Sequence, residues 1–273
     1  MPDKTSPIGI FDSGVGGLTV IREIMHQIPG EKLIYFGDTA RVPYGNKSPE
    51  TVTRYAEQIV RFLKTQNVKA IVVACNTASA LAMDKIENKY DIPMLEVIKP
   101  GAQVAAQTTV NGRIGVIATE ATIRSNIYSR YINNLNETLT VTGKACPLFV
   151  PFVEEGLLDD RITDEMARRY LKDLIEIDID TLILGCTHYP LLSNTIAAIM
   201  GEKVKLVNPA QETARDLKAL LTATKLLNDQ EIEKNEDRYQ LYVSDGAEKF
   251  KQFAASIIKC GTVSPKTINI DEY

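Results

Sequence analysis

The chain has 273 residues, 44% of them apolar and 24% charged, with 31 Lys plus Arg against 35 Asp plus Glu and a formal net charge of −4. That length suggests about two domains of the usual ~150 residues, and that mix excludes a disordered, collagenous or coiled-coil chain. A mildly acidic chain lacks the electrostatic footprint of a non-specific nucleic-acid binder, and its apolar runs fall far short of the ~20 residues that cross a bilayer.

In chain order, the polar start Met1-Pro2-Asp3-Lys4-Thr5-Ser6-Pro7 has no apolar signal core, so a cytoplasmic home is expected. A strand over 8–11 leads through the turn Asp12-Ser13-Gly14-Val15-Gly16-Gly17 into a helix over 18–27. A strand over 33–36 ends near Asp38, a helix covers 49–66, and a strand over 70–74 runs into Cys75. After a strand over 93–97, Ile98-Lys99-Pro100-Gly101 reads as a domain boundary. Then come a strand at 114–118, helices at 121–133 and 163–176, and a strand at 181–184 that runs into Gly185-Cys186. The last elements are a helix at 192–200, a strand at 205–207, a helix at 210–221, a strand at 240–243 and a helix at 247–259. The charged stretch 225–238 has no apolar stripe and reads as a solvated helix or loop.

This alternation predicts an α/β protein of the doubly wound class, with parallel sheets covered by helices on both faces. The chain also echoes itself. Ile8-Gly9-Ile10-Phe11-Asp12-Ser13 matches Ile114-Gly115-Val116-Ile117-Ala118-Thr119, and a near-equal interval later each copy reaches a strand-end cysteine, Cys75 or Cys186. Two similar domains related by internal pseudo-symmetry are therefore expected, the first from 1–98 plus 208–273 and the second from 99–207, with the active site in the cleft between them.

The glycine-rich turn could admit an anion at a helix N-terminus. It is not G-x-G-x-x-G, because Thr19 takes the place of the third glycine. With Asp38 as a ribose-binding acid, a dinucleotide site stays open as a weak alternative. No phosphate-binding P-loop is present. The two histidines, His26 and His188, and the four cysteines, Cys75, Cys146, Cys186 and Cys260, form no zinc spacing and no C-x-x-C pair, so no metal is expected. The ordinary reading of each cysteine is a small buried hydrophobe.

Cys75 and Cys186 ask for more than that. Both stand where a strand ends and a helix is expected to begin, the place where open α/β sheets bind ligands. A thiol at a helix N-terminus has a lowered pKa, which predicts an accessible thiolate near neutrality. Asn76-Thr77 and Thr187-His188 follow the two cysteines and suit a small zwitterion. One thiol on each wall of a cleft suits removal of a proton from one face of a tetrahedral carbon and its return to the other. A Cys–His hydrolase using Cys75 or Cys186 with His188 competes, but it needs only one cysteine. A binding module gives no reason for two.

Phe11-Asp12-Ser13-Gly14-Val15-Gly16-Gly17-Leu18, Gly37-Asp38-Thr39-Ala40-Arg41-Val42-Pro43-Tyr44-Gly45, Ala74-Cys75-Asn76-Thr77-Ala78-Ser79, Val150-Pro151-Phe152-Val153-Glu154-Glu155-Gly156 and Gly185-Cys186-Thr187-His188-Tyr189-Pro190-Leu191 closely resemble the bacterial glutamate racemases of the aspartate/glutamate racemase family. The resemblance implies cofactor-independent interconversion of L- and D-glutamate, with the D-isomer feeding peptidoglycan synthesis and so cell shape. It implies that Cys75 takes the α-proton of D-glutamate, assisted by Asp12, and that Cys186 takes that of L-glutamate, assisted by Glu154 and His188. It implies substrate contacts from Asp12, Ser13, Tyr44, Gly45, Asn76, Thr77, Thr119, Thr187 and His188. It implies no metal, no cofactor, no nucleic-acid or membrane partner, and a homodimer. A racemase of another amino acid, such as aspartate, stays open on the same scaffold.

Overall fold

The computed structural model describes residues 2–228, 238–258 and 264–273, and in it the alternation becomes two parallel sheets. The first stretch runs β1 (Ile8–Asp12), α1 (Leu18–Gln27), β2 (Leu33–Gly37), α2 (Pro49–Thr65), β3 (Ala70–Val73), α3 (Asn76–Ile86) and β4 (Met94–Glu96). The second begins with α4 (Ile98–Thr108), β5 (Arg113–Ala118), α5 (Glu120–Arg124), α6 (Ile127–Leu135) and β6 (Thr140–Ala145). It continues with α7 (Phe149–Glu154), α8 (Arg161–Glu176), β7 (Thr181–Gly185), α9 (Ser193–Met200) and β8 (Lys205–Val207). The chain then adds α10 (Pro209–Ala223), β9 (Tyr239–Val243), α11 (Ala247–Ile257) and β10 (Lys266–Thr267).

The larger sheet is ordered β10-β9-β2-β1-β3-β4 and the smaller β6-β5-β7-β8. The segments β2-β1-β3-β4 and β6-β5-β7-β8 repeat one topology, so the echoed strands β1 and β5 are equivalent, and so are β3 and β7. The pairing is parallel in both sheets. β1, β2, β3 and β7 are buried along their whole length, as strands covered by helices on both faces must be.

One apolar layer joins the sheets. It takes Val20 and Ile24 from α1, Ala102 and Ala105 from α4, Ala214 and Leu217 from α10, Val72 from β3, and Val116 and Ile183 from β5 and β7. Each fully buried Ile, Leu or Val there contributes roughly 1.5–3 kcal/mol, and the layer holds the two sets of strand ends against each other.

Several elements depart from expectation. The segment read as a boundary opens α4: Pro100 is tolerated in a first helical turn, and a Cβ at Gly101 would lie 2.9 Å from Pro209 Cγ, so the glycine serves close helix packing. The helix expected over 121–133 is two helices, because Asn126 is left-handed with φ 54° and ends the first. α8 starts two residues early because the Asp160 side chain accepts from the Ile162 amide and caps it. β6 was not anticipated; it is a half-exposed strand at one end of its sheet order, and Thr140-Val141-Thr142-Gly143-Lys144-Ala145 has no apolar run. Residues 229–237 of the charged stretch, and Cys260, lie outside the described residues. Among the described residues, no helix is long and apolar enough to cross a membrane.

A buried ion pair ties the opposite end of the larger sheet. Lys69 Nζ lies 2.5 Å from Glu31 Oε2 and donates to the carbonyls of Lys4 (2.7 Å) and Leu226 (2.8 Å), while Glu31 Oε1 accepts from the Asn228 amide (2.8 Å). Burial pushes Glu31 up and Lys69 down, so each needs its partner. Glu31→Gln should destabilise the fold by about 3–5 kcal/mol, and adding Lys69→Met should recover most of the loss. Urea unfolding of both variants is the check; a single variant within ~0.5 kcal/mol of the parent would mean that the two carbonyls alone satisfy the ammonium.

Candidate active site

Adjacent strands β1 and β3 carry Asp12 and Cys75 to the same edge of the larger sheet, and β5 and β7 carry Thr119 and Cys186 to the matching edge of the smaller one. The two edges face one cavity of about 410 Å³, and both thiols line it. Ser13, Tyr44, Gly45, Asn76, Thr77, Thr119, Glu154, Thr187 and His188 line it as well. Of the site residues that the family resemblance implies, Asp12 alone stands behind the wall. It is fully buried, and its carboxylate accepts from the Gly14 amide (2.9 Å) and lies 3.5 Å from the Thr187 hydroxyl.

Cys75 is the N-cap of α3, and its sulfur accepts from the Ala78 amide at 3.4 Å. Cys186 differs from the expectation: a short 3₁₀ turn, Tyr189–Leu192, separates it from α9. Its Sγ lies 3.8 Å from His188 Nδ1, and His188 Nε2 lies 3.0 Å from Glu154 Oε1.

The glycine-rich turn cradles protein. A Cβ at Gly16 would fall 2.2 Å from Thr187 Oγ1 and 2.5 Å from His188 Nδ1, so glycine is what lets the edge that carries Cys186 approach. Thr19, in place of a third glycine, donates to the Gly16 and Thr187 carbonyls, both at 2.9 Å. Asp38 is fully buried and already accepts from Arg41 Nε (2.7 Å), Ser244 (2.9 Å) and the Tyr44 hydroxyl. The Gly16 end of the turn and Asp38 are taken up by protein contacts, which argues against a dinucleotide, while Ser13 and Gly14 face the cavity.

The cleft is bridged by hydroxyls. Thr77 and Thr119 lie 2.9 Å apart across it, and Thr119 lies 3.0 Å from Thr122. Thr122 escaped sequence reading. Its signal is the spacing: Thr119 caps α5, and a residue three further on returns to the same side. Pro43, Val150 and Pro151, which stand in the quoted motifs without a role of their own, and Pro147, which stands in none, give the cavity its apolar walls.

The two thiols sit in opposite fields. Burial pushes the Cys75 thiol up to about 12 and the Asp12 charge adds to it; the contacts from Ser13 and Ala78 only partly offset this. The lowered pKa expected there is therefore reversed, because one long N–H···S contact does not outweigh desolvation. Asp12 is itself raised by burial. At His188, burial is the largest influence and pushes the imidazole down, but the hydrogen bonds with Cys186 and Glu154 and the charges of Cys186 and Asp12 carry it up to about 10. Glu154 is lowered by its hydrogen bond to His188. Cys75 thus faces a buried carboxyl, and Cys186 faces an imidazolium held by a carboxylate.

Residues 8–217 match the Asp/Glu/Hydantoin racemase family. The chain belongs to that family. It is 52% identical over 245 residues to the glutamate racemase of Geobacter metallireducens, covering 90% of this chain and 89% of that one. Among solved structures, glutamate racemase isoform RacE1 from Bacillus anthracis superposes with a TM-score of 0.92 at 40% identity, covering 97% of this chain and 98% of that one. Glutamate racemase from Francisella tularensis, in complex with D-glutamate, superposes with a TM-score of 0.91 at 39% identity, covering 99% of this chain and 100% of that one. Every motif that carried the family resemblance lies within the matched span.

Proposed function

We propose that the chain is a glutamate racemase that moves protons with two thiols and no cofactor, in the cytoplasm, and supplies D-glutamate for peptidoglycan. The observation that carries this reading is one cysteine from each of two equivalent strand ends on the walls of a single cavity. Its relatives' shared substrate supports glutamate. The domains we propose are 1–98 with 208–273 around the larger sheet and 99–207 around the smaller, and the working unit is a homodimer.

In the L-to-D direction, Cys186 starts as the thiolate beside the His188 imidazolium and takes the α-proton. Cys75, held protonated by its dry surroundings, delivers a proton to the opposite face. In the reverse direction Cys75 is the base and Cys186 the acid. Asp12 keeps the Cys75 sulfur strongly basic, which suits abstraction from a weak carbon acid. Ser13, Tyr44, Gly45, Asn76, Thr77, Thr119 and Thr187 hold the carboxylates and the ammonium. Hydrogen bonds preorganised in a water-poor cleft stabilise the carbanion.

Racemisation in heavy water tests the mechanism. After exhaustive dialysis against a chelator, early product should carry one solvent deuteron at Cα while unreacted substrate stays protiated, read by circular dichroism and mass spectrometry. Product that keeps its original proton would require a single base acting on both faces. Aspartate, one methylene shorter, should be turned over roughly 10–200-fold less efficiently. Equal efficiency would make the chain a broader racemase.

Asp12→Asn should lower kcat by about 10²-fold with little change in KM. Because the enantiomers are isoenergetic, kcat/KM falls equally in both directions. A rise in KM at constant kcat would make Asp12 a binding residue.

A further inference from the structure

Two buried side chains that no motif singled out, Thr122 of α5 and Tyr128 of α6, touch residues that line the cleft, and Tyr128 touches the neighbours of both thiols. Tyr128, in α6, is 4% exposed. Its ring lies against Gly185, the residue before Cys186: a Cβ there would come within 3.2 Å of Tyr128 Cε2. Its hydroxyl donates to Asn76 Oδ1 at 2.7 Å, and Asn76 is the residue after Cys75. One side chain from the second sheet's helices therefore braces the first sheet's thiol edge.

We infer that Tyr128 is a positioning residue for the racemase reaction, fixing the Asn76 amide so that its nitrogen end is presented to the substrate's carboxylate. The inference rests on the functional reading above. Asn76 is 4% exposed and lines the cavity. An amide can flip, and its two ends offer opposite chemistry to a ligand. The phenol holds the oxygen end, so the nitrogen end, with two N–H donors, is the branch left over. No protein group among the described residues takes those donors, and a carboxylate is the substrate group that would.

The phenol is well suited to this task. Burial, with the charges of Glu96 and Cys186 nearby, raises its pKa well above the usual tyrosine range, so it stays a donor through the working range of pH. Glu96 cannot compete for the proton, because its oxygens accept from the amides of Ile98 and Lys99 at the start of α4. Packing alone does not explain the hydroxyl. Phenylalanine would fill the same space over Gly185 and would leave Asn76 Oδ1 unpaired.

Tyr128→Phe separates the two roles. The variant should melt within a few degrees of the parent. Its KM for glutamate should rise about tenfold while kcat changes less than about threefold, equally in both directions, because both enantiomers present the same carboxylate. In an Asn76→Ala background, Tyr128→Phe should have no further effect on KM. An unchanged KM in the single variant, or the same tenfold change in the Asn76→Ala background, overturns the inference. A drop in melting temperature with KM unchanged makes Tyr128 structural only, which also overturns it. The parent is assayed beside the variants on glutamate and aspartate. Turnover of aspartate alone would overturn the substrate assignment, and the Tyr128 ratio is then read on aspartate. Turnover of neither overturns both.

Discussion

Cys75→Ala and Cys186→Ala, made separately, are each expected to lower racemisation by about 10⁴-fold, the upper range for loss of a positioned acid or base. Both thiols line one cavity of one chain, so mixing the two inactive variants should restore nothing. If instead each site drew one thiol from each subunit, half of the re-equilibrated dimers would be mixed and each would hold one complete site. About a quarter of parental activity would then return. The experiment needs proof that subunits exchange, for which mass-tagging one variant suffices. Recovery near a quarter after exchange would replace the intrachain cleft with a composite one.

The pair His188–Glu154 gives the second large effect, and its sign is fixed by the geometry. His188 is carried up to about 10, so its proton is present across neutral and mildly alkaline pH and leaves above that. The profile of kcat/KM should therefore stay flat from about pH 7 to 9 and fall beyond about 10. Glu154→Gln removes a group that raises the imidazole, so the fall should move to lower pH by about one unit. A shift to higher pH would show that Glu154 acts otherwise. His188→Asn should lower kcat/KM by about 10³-fold at pH 8 and remove that alkaline fall. The same proton bears on stability. A histidine raised in the fold contributes fully below its unfolded value of ~6.5, and the contribution is lost as pH rises through about 10.

The strands were legible because parallel strands covered on both faces read as apolar runs: Ile71-Val72-Val73 and Leu182-Ile183-Leu184 allow little else. β6 was illegible for the converse reason, being polar and half-exposed. The extent of α3 escaped because Asn76-Thr77-Ala78-Ser79 is buried without an apolar stripe, and α4 because Pro100-Gly101 mimics a linker. In the site, Cys75 and Cys186 announced themselves through the internal echo. Tyr128 could not, since its contact with Asn76 joins segments far apart in sequence, whereas Thr122 offers only its spacing from the capping Thr119. The field at Cys75 was misjudged because a helix start is visible in sequence, whereas the burial that outweighs it is a property of the assembled cleft.

The unequal surroundings of the two sulfurs carry a consequence for the turnover cycle. On the proposed two-thiol mechanism, the free protein would cycle between two forms with the same total charge, differing only in which sulfur holds the proton. A buried carboxyl behind one and an imidazolium beside the other make these forms unequal in energy, like a spring with one relaxed position. On the proposed mechanism, each conversion of L- to D-glutamate leaves the protein cocked, with the proton on Cys186 and the charge on Cys75. Before another L-glutamate can react, the spring must relax by trading protons with solvent. A D-glutamate arriving first would release it instead. At very high substrate, that solvent exchange rather than chemistry at carbon sets the pace, and tracer of one enantiomer is driven backwards by an excess of the other.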